Sequence, residues 1–517
     1  MNIFFHKVYC EVSLNSLNRL IEYYNPESCY YVYDIDTNIT YGFHVDNKKI
    51  EGVKTSEAYY RSDALAGKYS GYAFEKDCPP VDEALLNAMS KHESSIIKML
   101  EREPEFLNFH MKPFSLPHSP SYEDRVRQYH SHLRYWNHML DAAEIGIAVF
   151  INIPHEIFTY IIYCLCKIKE IAVVFASPYG QIPGFCYFAK DIFDRAPSFL
   201  DTYQRLLAKY EDMTVDDITI SPDEVNNVYD RQTNKKSDKI PHFMKQQRKN
   251  HIITYSVIKI LREKGLLSTC LMVWSGIRWI ISARIGGMKL AISYNNLSVE
   301  PDYTSNYIYF PLHKEPEASI NPQGGVFTHQ YIAISILSFH LPSHIKIYVK
   351  EHPLQFKRSY GREKELYYDL VNLPNVQLVN RSSDTYQLLE KCIAVASITG
   401  TAGFEGLFLR KPFLMFGSHL TMYAPGTFNI RNNEDCRQAL EYILSNKQKH
   451  TIKELKIFMK AVGEELFQCI SSNLHASDLG VSITDKEKNL ITLIKGYTKV
   501  LDEQLYPNTP RTIKGVL

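Results

Sequence analysis

Between residues 307 and 416 the sequence alternates short, uninterrupted apolar runs with stretches of helical spacing, and this alternation restricts the fold more than any other feature of the chain. The runs are YIYF, HIKIYV, VQLV, AVASI and FLMF; helical stretches at 328–339, 364–371, 385–392 and 403–410 separate them. A strand covered on both faces reads as a continuous apolar run, and strands joined through helices run parallel. The pattern therefore predicts a five-stranded, doubly wound parallel sheet with right-handed crossovers, whose ligand site lies outside the strand carboxyl ends.

The first half repeats the theme less clearly. It opens with aromatic, strand-like pieces such as CYYVYDIDTNITYGFHV, and AEIGIAVFINIP then forms a buried-strand run that ends at Pro154. HEIFTYIIYCLCKIKE has helical spacing and leads into the apolar run IAVVFAS, which completes a strand, helix, strand unit. At about 150 residues per domain, 517 residues call for two or three domains. The polar break SYNNLSVEPDYTSN marks the joint. The domains expected are 1–290, with an exposed acidic-then-basic and apolar excursion near 211–288, then 300–485, and a last helix within 486–517 packing back on the first domain.

Composition narrows the class. A formal net charge of +1 gives no electrostatic case for nucleic-acid binding, and 45% hydrophobic with 22% charged residues excludes a disordered chain. The ten cysteines form no CxxC pair and fit reduced core residues of a cytoplasmic protein. The start, MNIFFHKVYCEVSLN, reads as a first strand rather than an export signal. The apolar stretch 265–288 is interrupted by Arg278 and Arg284, which argues against a spanning helix. It follows a basic run holding Lys235, Lys236, Lys239, Lys245, Arg248 and Lys249. That pairing fits either an interfacial anchor on an anionic membrane or a solvated loop before a buried helix. GxGxxG and GxxxxGK[ST] are absent, and the DxD-like pair Asp34 and Asp36 sits inside a strand pattern without a further ligand at useful spacing, so no metal site is expected.

Polar residues gather where the strand runs end. HIKIYV leads into Lys350, Glu351, His352 and Pro353, which places an imidazole and an ammonium where an anion could be met, although a plain strand-ending turn reads the same way. AVASI leads into TGTAGFEG. There Thr399, Gly400, Thr401 and Gly403 suit a helix-terminal anion site, and Glu405, on the first turn of the next helix, suits ribose hydroxyls or simply the helix dipole. YIYF leads into PLHKEPE, with His313, Glu315 and Glu317. In the first half, His155 and Glu156 follow AVFINI, where a general base is wanted; a helix-opening glutamate beside a surface histidine is the alternative.

The string VKEHP, followed some fifty residues on by SITGTAGFEGLFLRKPFLMFG, resembles the capsule polysaccharide biosynthesis family, which includes bacterial capsule Kdo transferases. PLHKEPE and PHE resemble surface-carbohydrate biosynthesis proteins of the same group. The resemblance implies an α/β protein of GT-B type: two Rossmann-like domains with parallel sheets facing across a cleft. It implies a metal-independent glycosyltransferase without a cofactor, moving a sugar from a nucleotide-activated donor, CMP-linked donors included, to a surface polysaccharide or glycolipid at the inner face of the cell membrane. It assigns His352, Thr399, Gly400 and Thr401 to the donor phosphate and Glu405 to the ribose. Strand-end position adds Lys350, His313 and Glu317 to that site, and position alone, without a matching motif, makes Glu156 and His155 the base. A non-hydrolysing nucleotide-sugar epimerase and a non-catalytic nucleotide-sugar-binding component of an assembly complex are the alternatives.

Overall fold

The computed structural model describes residues 1–8, 10–33, 55–60, 78–111, 121–194, 197–234, 274, 277–278, 281–282, 284–357, 362–445, 450–471 and 483–507. Asp34, Asp36, the basic run at 235–249 and the first part of the apolar stretch fall outside them.

In chain order the elements begin with β1 (Asn2–Val8), α1 (Glu11–Tyr24), β2 (Ser28–Tyr33), β3 (Thr55–Tyr60), α2 (Glu83–Met111), α3 (Tyr122–Ala142), β4 (Ile145–Phe150), α4 (Ile157–Ile168), β5 (Ala172–Pro178) and β6 (Phe185–Ala189). There follow α5 (Pro197–Lys209), α6 (Asp223–Thr233), β7 (Tyr307–Pro311), α7 (Gln330–His340), β8 (Lys346–Lys350), α8 (Glu365–Val371), β9 (Val376–Leu378), α9 (Thr385–Lys391), β10 (Ala394–Ser397), α10 (Thr401–Phe408), β11 (Phe413–Met415) and β12 (Thr427–Asn429). The chain ends with α11 (Asn433–Leu444), α12 (Ile452–Glu465), β13 (Phe467–Gln468) and α13 (Lys486–Leu505). Two compact units result; of the described residues, one holds those of 1–191, 274, 277 and 466–507, the other those of 192–234 and 278–465.

The first unit holds a sheet in the order β13-β6-β5-β4-β1-β2-β3. Pairing is parallel from β5 to β3, whereas β6 and β13 run antiparallel to their neighbours. β1 lies inside the sheet between β4 and β2 and is buried along most of its length because both faces are covered. Ile3, Phe5 and Val8 join the core that includes Leu493, Ile494, Tyr497 and Leu501 of α13. On the other face Phe4 packs edge-on against Trp136 of α3 at 5.7 Å. Asp485 caps α13 by accepting from the Lys488 amide, and Tyr23 and Tyr24 of α1 donate to Asp502 at 2.7 and 2.9 Å.

The second unit holds a sheet in the order β12-β11-β10-β7-β8-β9, parallel in every pair. The expected α/β class is therefore the observed one, two mostly parallel sheets with helices. The second sheet has a sixth strand, β12, whose three residues are too short to show a period.

The boundaries differ from those expected at three places. Residues 192–234 belong with the second unit because α5 lies along α12: Thr202 donates to Glu465 at 2.6 Å, Arg205 pairs with Glu464, and Phe199 meets Phe458. The supposed exposed excursion is thus partly packed, with Val225 and Tyr229 of α6 buried. The helix over 284–297 also lies in the second unit, since Leu290 and Tyr294, one turn apart, enter its core. Residues 466–471 and 483–485 return to the first unit, where Phe467 of β13 pairs with Cys186 of β6.

Candidate functional site

Counted outward in chain order, the second sheet runs 3-2-1-4-5-6, with β7 between β8 and β10, so its topological switch point lies between β7 and β10. Ligands of doubly wound sheets bind at the carboxyl side of that point. The loops after β7, β8 and β10 carry His313 to Glu317, Glu351 to Leu354, and Ile398 to Thr401.

A buried polar network fixes these loops. Arg362, with a side chain only 2% exposed, pairs with Glu351 at 2.9 Å and Glu315 at 3.3 Å and donates to the His313 carbonyl at 2.6 Å. Tyr367 donates to Glu351 at 2.7 Å, and Gln330 donates to Glu315 at 2.9 Å. Removing one member would strand a buried charge, so the cluster holds the β7 and β8 loops in one arrangement. Sequence reasoning missed Arg362, which stands eleven residues beyond Glu351 with no local pattern to mark it.

His313 crosses the switch point. Its Nε2 accepts from the Thr399 amide at 3.1 Å and lies 3.0 Å from the Ser397 hydroxyl. Burial, then the neighbouring His352, holds its pKa down to about 3, so the ring is neutral and ties the β7 loop to the β10 loop. Gly400 is needed here, because a Cβ would fall 2.6 Å from Ser397 Oγ.

His352 is the histidine that faces outward. It is half-buried, and its Nδ1 accepts from the Leu354 amide at 3.2 Å, which leaves Nε2 to carry the ring proton away from the loop. Burial, with Lys314 and Arg362 nearby, holds its pKa down to about 4. Lys314, a half-buried cation that the sequence reading passed over inside PLHKEPE, lies 3.6 Å from Glu317. Thr401 is the exposed first residue of α10, where the Gly403 amide is taken by the Gly400 carbonyl and the amides of Thr401 and Ala402 open the helix.

The remaining expected residues are placed otherwise. Lys350 does not face the ligand edge: it is buried and donates to the Ser383 carbonyl at 2.6 Å and the Thr385 hydroxyl at 2.9 Å, anchoring the start of α9. The Thr399 hydroxyl donates its one proton to the Ser319 carbonyl at 2.8 Å, so its side chain braces the loop. Glu405 lies on the second turn of α10, not the first, because the helix begins at Thr401 rather than Gly403. Its side chain is half-buried there. Glu317 is exposed at the loop's edge.

The first unit has the same order, with its switch point between β1 and β4. Glu156 is the N-cap of α4: its amide donates to Thr159 Oγ1 at 3.1 Å and its carbonyl accepts from that hydroxyl at 2.9 Å. Its carboxylate, 8% exposed as a residue, lies 3.6 Å from Nε2 of His6 and 4.0 Å from Nζ of Lys7. His155 is half-buried and holds the Ile153 carbonyl through Nδ1 at 2.7 Å. Sequence reasoning missed His6 and Lys7, although a histidine and lysine inside the apolar run IFFHKV were a visible signal. Among the described residues no three His, Cys, Asp or Glu side chains are grouped to hold a metal ion, and no helix is long and apolar enough to cross a membrane.

The chain is thus built of two doubly wound α/β units, each with a polar cluster at its switch point. Residues 321–426, which contain the His352 and Thr401 loops, match the model of the family described as capsule polysaccharide biosynthesis protein, as the resemblance implied. No curated protein matches the sequence. Among solved structures, the β-Kdo 2,7 transferase KpsC of Thermosulfurimonas dismutans is similar at 15% identity and a TM-score of 0.24, over 46% of this chain and 66% of that one. The UDP-GlcNAc 2-epimerase of Methanocaldococcus jannaschii is similar at 10% identity and a TM-score of 0.24, over 90% and 99%. The trehalose-6-phosphate protein of E. coli bound with UDP-2-fluoro glucose is similar at 9% identity and a TM-score of 0.26, over 97% and 99%.

Proposed function

We propose that the protein is a glycosyltransferase of surface-carbohydrate synthesis, moving a sugar from a nucleotide-activated donor to a growing polysaccharide or glycolipid at the inner face of the membrane. The observation that carries this is the family-matched segment itself, which brings the outward Nε2 of His352 and the opening turn of α10 to the carboxyl edge at the switch point.

The chemistry follows from what those groups can donate. A sugar leaves its nucleotide as negative charge grows on the phosphate oxygen, and fixed donors in a partly desolvated site stabilise that charge without reorganising. His352 Nε2, Lys314 Nζ, the Thr401 hydroxyl and the first amides of α10 are such donors. His313, Thr399, Lys350 and Arg362 hold their loops in place. Glu405 would take ribose hydroxyls, and Glu156 would take the proton of the acceptor hydroxyl.

A thermal-shift panel of CMP, CDP, UDP and GDP tests the donor half, since a ligand of the folded state present at about 100 times its Kd adds roughly 2.7 kcal/mol. Incubating the stabilising nucleotide's sugar conjugates with and without a glycan acceptor then tests transfer. Product that forms only with acceptor is expected; an altered sugar formed without acceptor would mean an epimerase instead. Transfer is also expected to survive EDTA, and loss restored by magnesium or manganese would contradict a metal-independent reaction.

A further inference from the structure

We propose that His6 is a positioning residue for the Glu156 carboxylate, the two forming a dyad at the β1/β4 switch point that activates the acceptor hydroxyl. The inference rests on the transferase reading above and adds to it a residue from a different strand.

His6 is 1% exposed, and neither ring nitrogen has a hydrogen-bond partner among the described residues. The ring is seated against Phe150 at 5.7 Å and Phe158 at 6.2 Å, an apolar niche that a phenylalanine or leucine would fill without leaving polar atoms unsatisfied. One direction out of the niche is polar: Nε2 lies 3.6 Å from Oε2 of Glu156, just beyond hydrogen-bond length. Contacts of this kind are often long in the absence of substrate and tighten when it binds.

Two elements fix the pair. His6 is held by β1, which pairs with β2 and β4, and Glu156 by the cap of α4 through Thr159. The charged or titratable groups around His6 are Glu156, Lys7 and His155. Lys7 lies 4.0 Å from the other carboxylate oxygen, so Glu156 stands between an imidazole and an ammonium. Burial holds the His6 pKa down to about 4, and a neutral ring with its proton on Nε2 donates toward Oε2. In the step itself the acceptor O–H bond breaks and its proton passes to Glu156. The acceptor oxygen bonds to the anomeric carbon, and the nucleotide leaves with the electron pair of the broken C–O bond. His6 fixes the oxygen it faces and so the direction in which the carboxylate meets the hydroxyl.

Four forms of the full chain test this: wild type, His6→Phe, which keeps the bulk, His6→Gln, which keeps an N–H donor, and Glu156→Gln. In single-turnover transfer, His6→Phe is expected to slow the step by about 10- to 100-fold without changing donor affinity. The acid limb of its pH–rate profile should move to higher pH by about one unit, because a lost donor disfavours the ionised carboxylate. His6→Gln is expected to restore the limb. A second readout needs no turnover: in 15N spectra of labelled histidine, the His6 signal of the neutral Nε2–H form should shift in Glu156→Gln. An unmoved acid limb in His6→Phe, His6→Gln as impaired as His6→Phe, or a His6 signal indifferent to Glu156→Gln would overturn the dyad. Undiminished transfer by Glu156→Gln would remove the base assignment and the dyad together, whereas slow transfer by Glu156→Gln with an unmoved limb in His6→Phe would remove the dyad alone.

Discussion

Three consecutive residues where β8 ends have three different partners: Lys350 donates to Ser383 and Thr385, Glu351 is held by Arg362 and Tyr367, and the His352 ring meets the Leu354 amide of its own loop through Nδ1. Their consequences when removed should separate accordingly. His352→Ala is expected to weaken nucleotide binding by about 10- to 150-fold, the equivalent of about 1.5 to 3 kcal/mol for a hydrogen bond to a charged group, with an unchanged melting temperature. Lys350→Ala should do the reverse, lowering stability by about 1 to 3 kcal/mol by leaving buried acceptors unpaired while nucleotide affinity holds. Titration calorimetry and melting curves on both variants check this, and matching losses in the two would contradict the division. The sequence made the cluster legible, since a polar string ending an apolar run marks a strand terminus. It could not show direction, because direction depends on partners such as Arg362 and Thr385 that come near only in the folded chain.

At the scale of elements, α10 is set against the sheet by a small residue. A Cβ on Gly403 would fall 2.3 Å from the Phe413 ring of β11, so the helix can approach only because that position has no side chain. Gly403→Ala is expected to destabilise the protein by about 1 to 3 kcal/mol by forcing helix and strand apart, and to weaken nucleotide binding as the opening turn of α10 shifts. Urea unfolding checks the first effect; an unchanged midpoint would contradict it. The four helices expected between 328 and 410 form, with no end moved by more than two residues, because their apolar spacing matches the packing they make. β12 and β13 were not legible: each has three residues or fewer and takes its strand character from the neighbour it pairs with.

At the scale of the whole molecule, burial keeps several histidines neutral. It lowers the pKa of His6 and His132 to about 4 and that of His313 to about 3, against an ordinary value of 6.5. The unfolded chain takes up these protons as pH falls below about 6.5 and the folded chain does not, so stability present above that pH is lost on acidification. Each contributes on the order of a few kcal/mol by pH 4. Urea midpoints should fall clearly between pH 7.5 and pH 5, and His132→Phe should flatten that dependence; equal midpoints in wild type would contradict it. The division into units was legible only in part. Apolar alternation located both sheets, but residues 192–234 join the second unit through contacts with α12, more than two hundred residues away, and no local pattern announces such a pairing.

The central claim is that the switch point between β7 and β10 holds the phosphate of a nucleotide-activated sugar through His352. Its most direct test is calorimetric titration of wild type and His352→Ala with the nucleotide that stabilises the protein. Saturable binding by wild type, weakened by about 10-fold or more in an equally folded His352→Ala, is the expected result. Equal affinity in the two proteins, or no nucleotide binding by wild type, would contradict it.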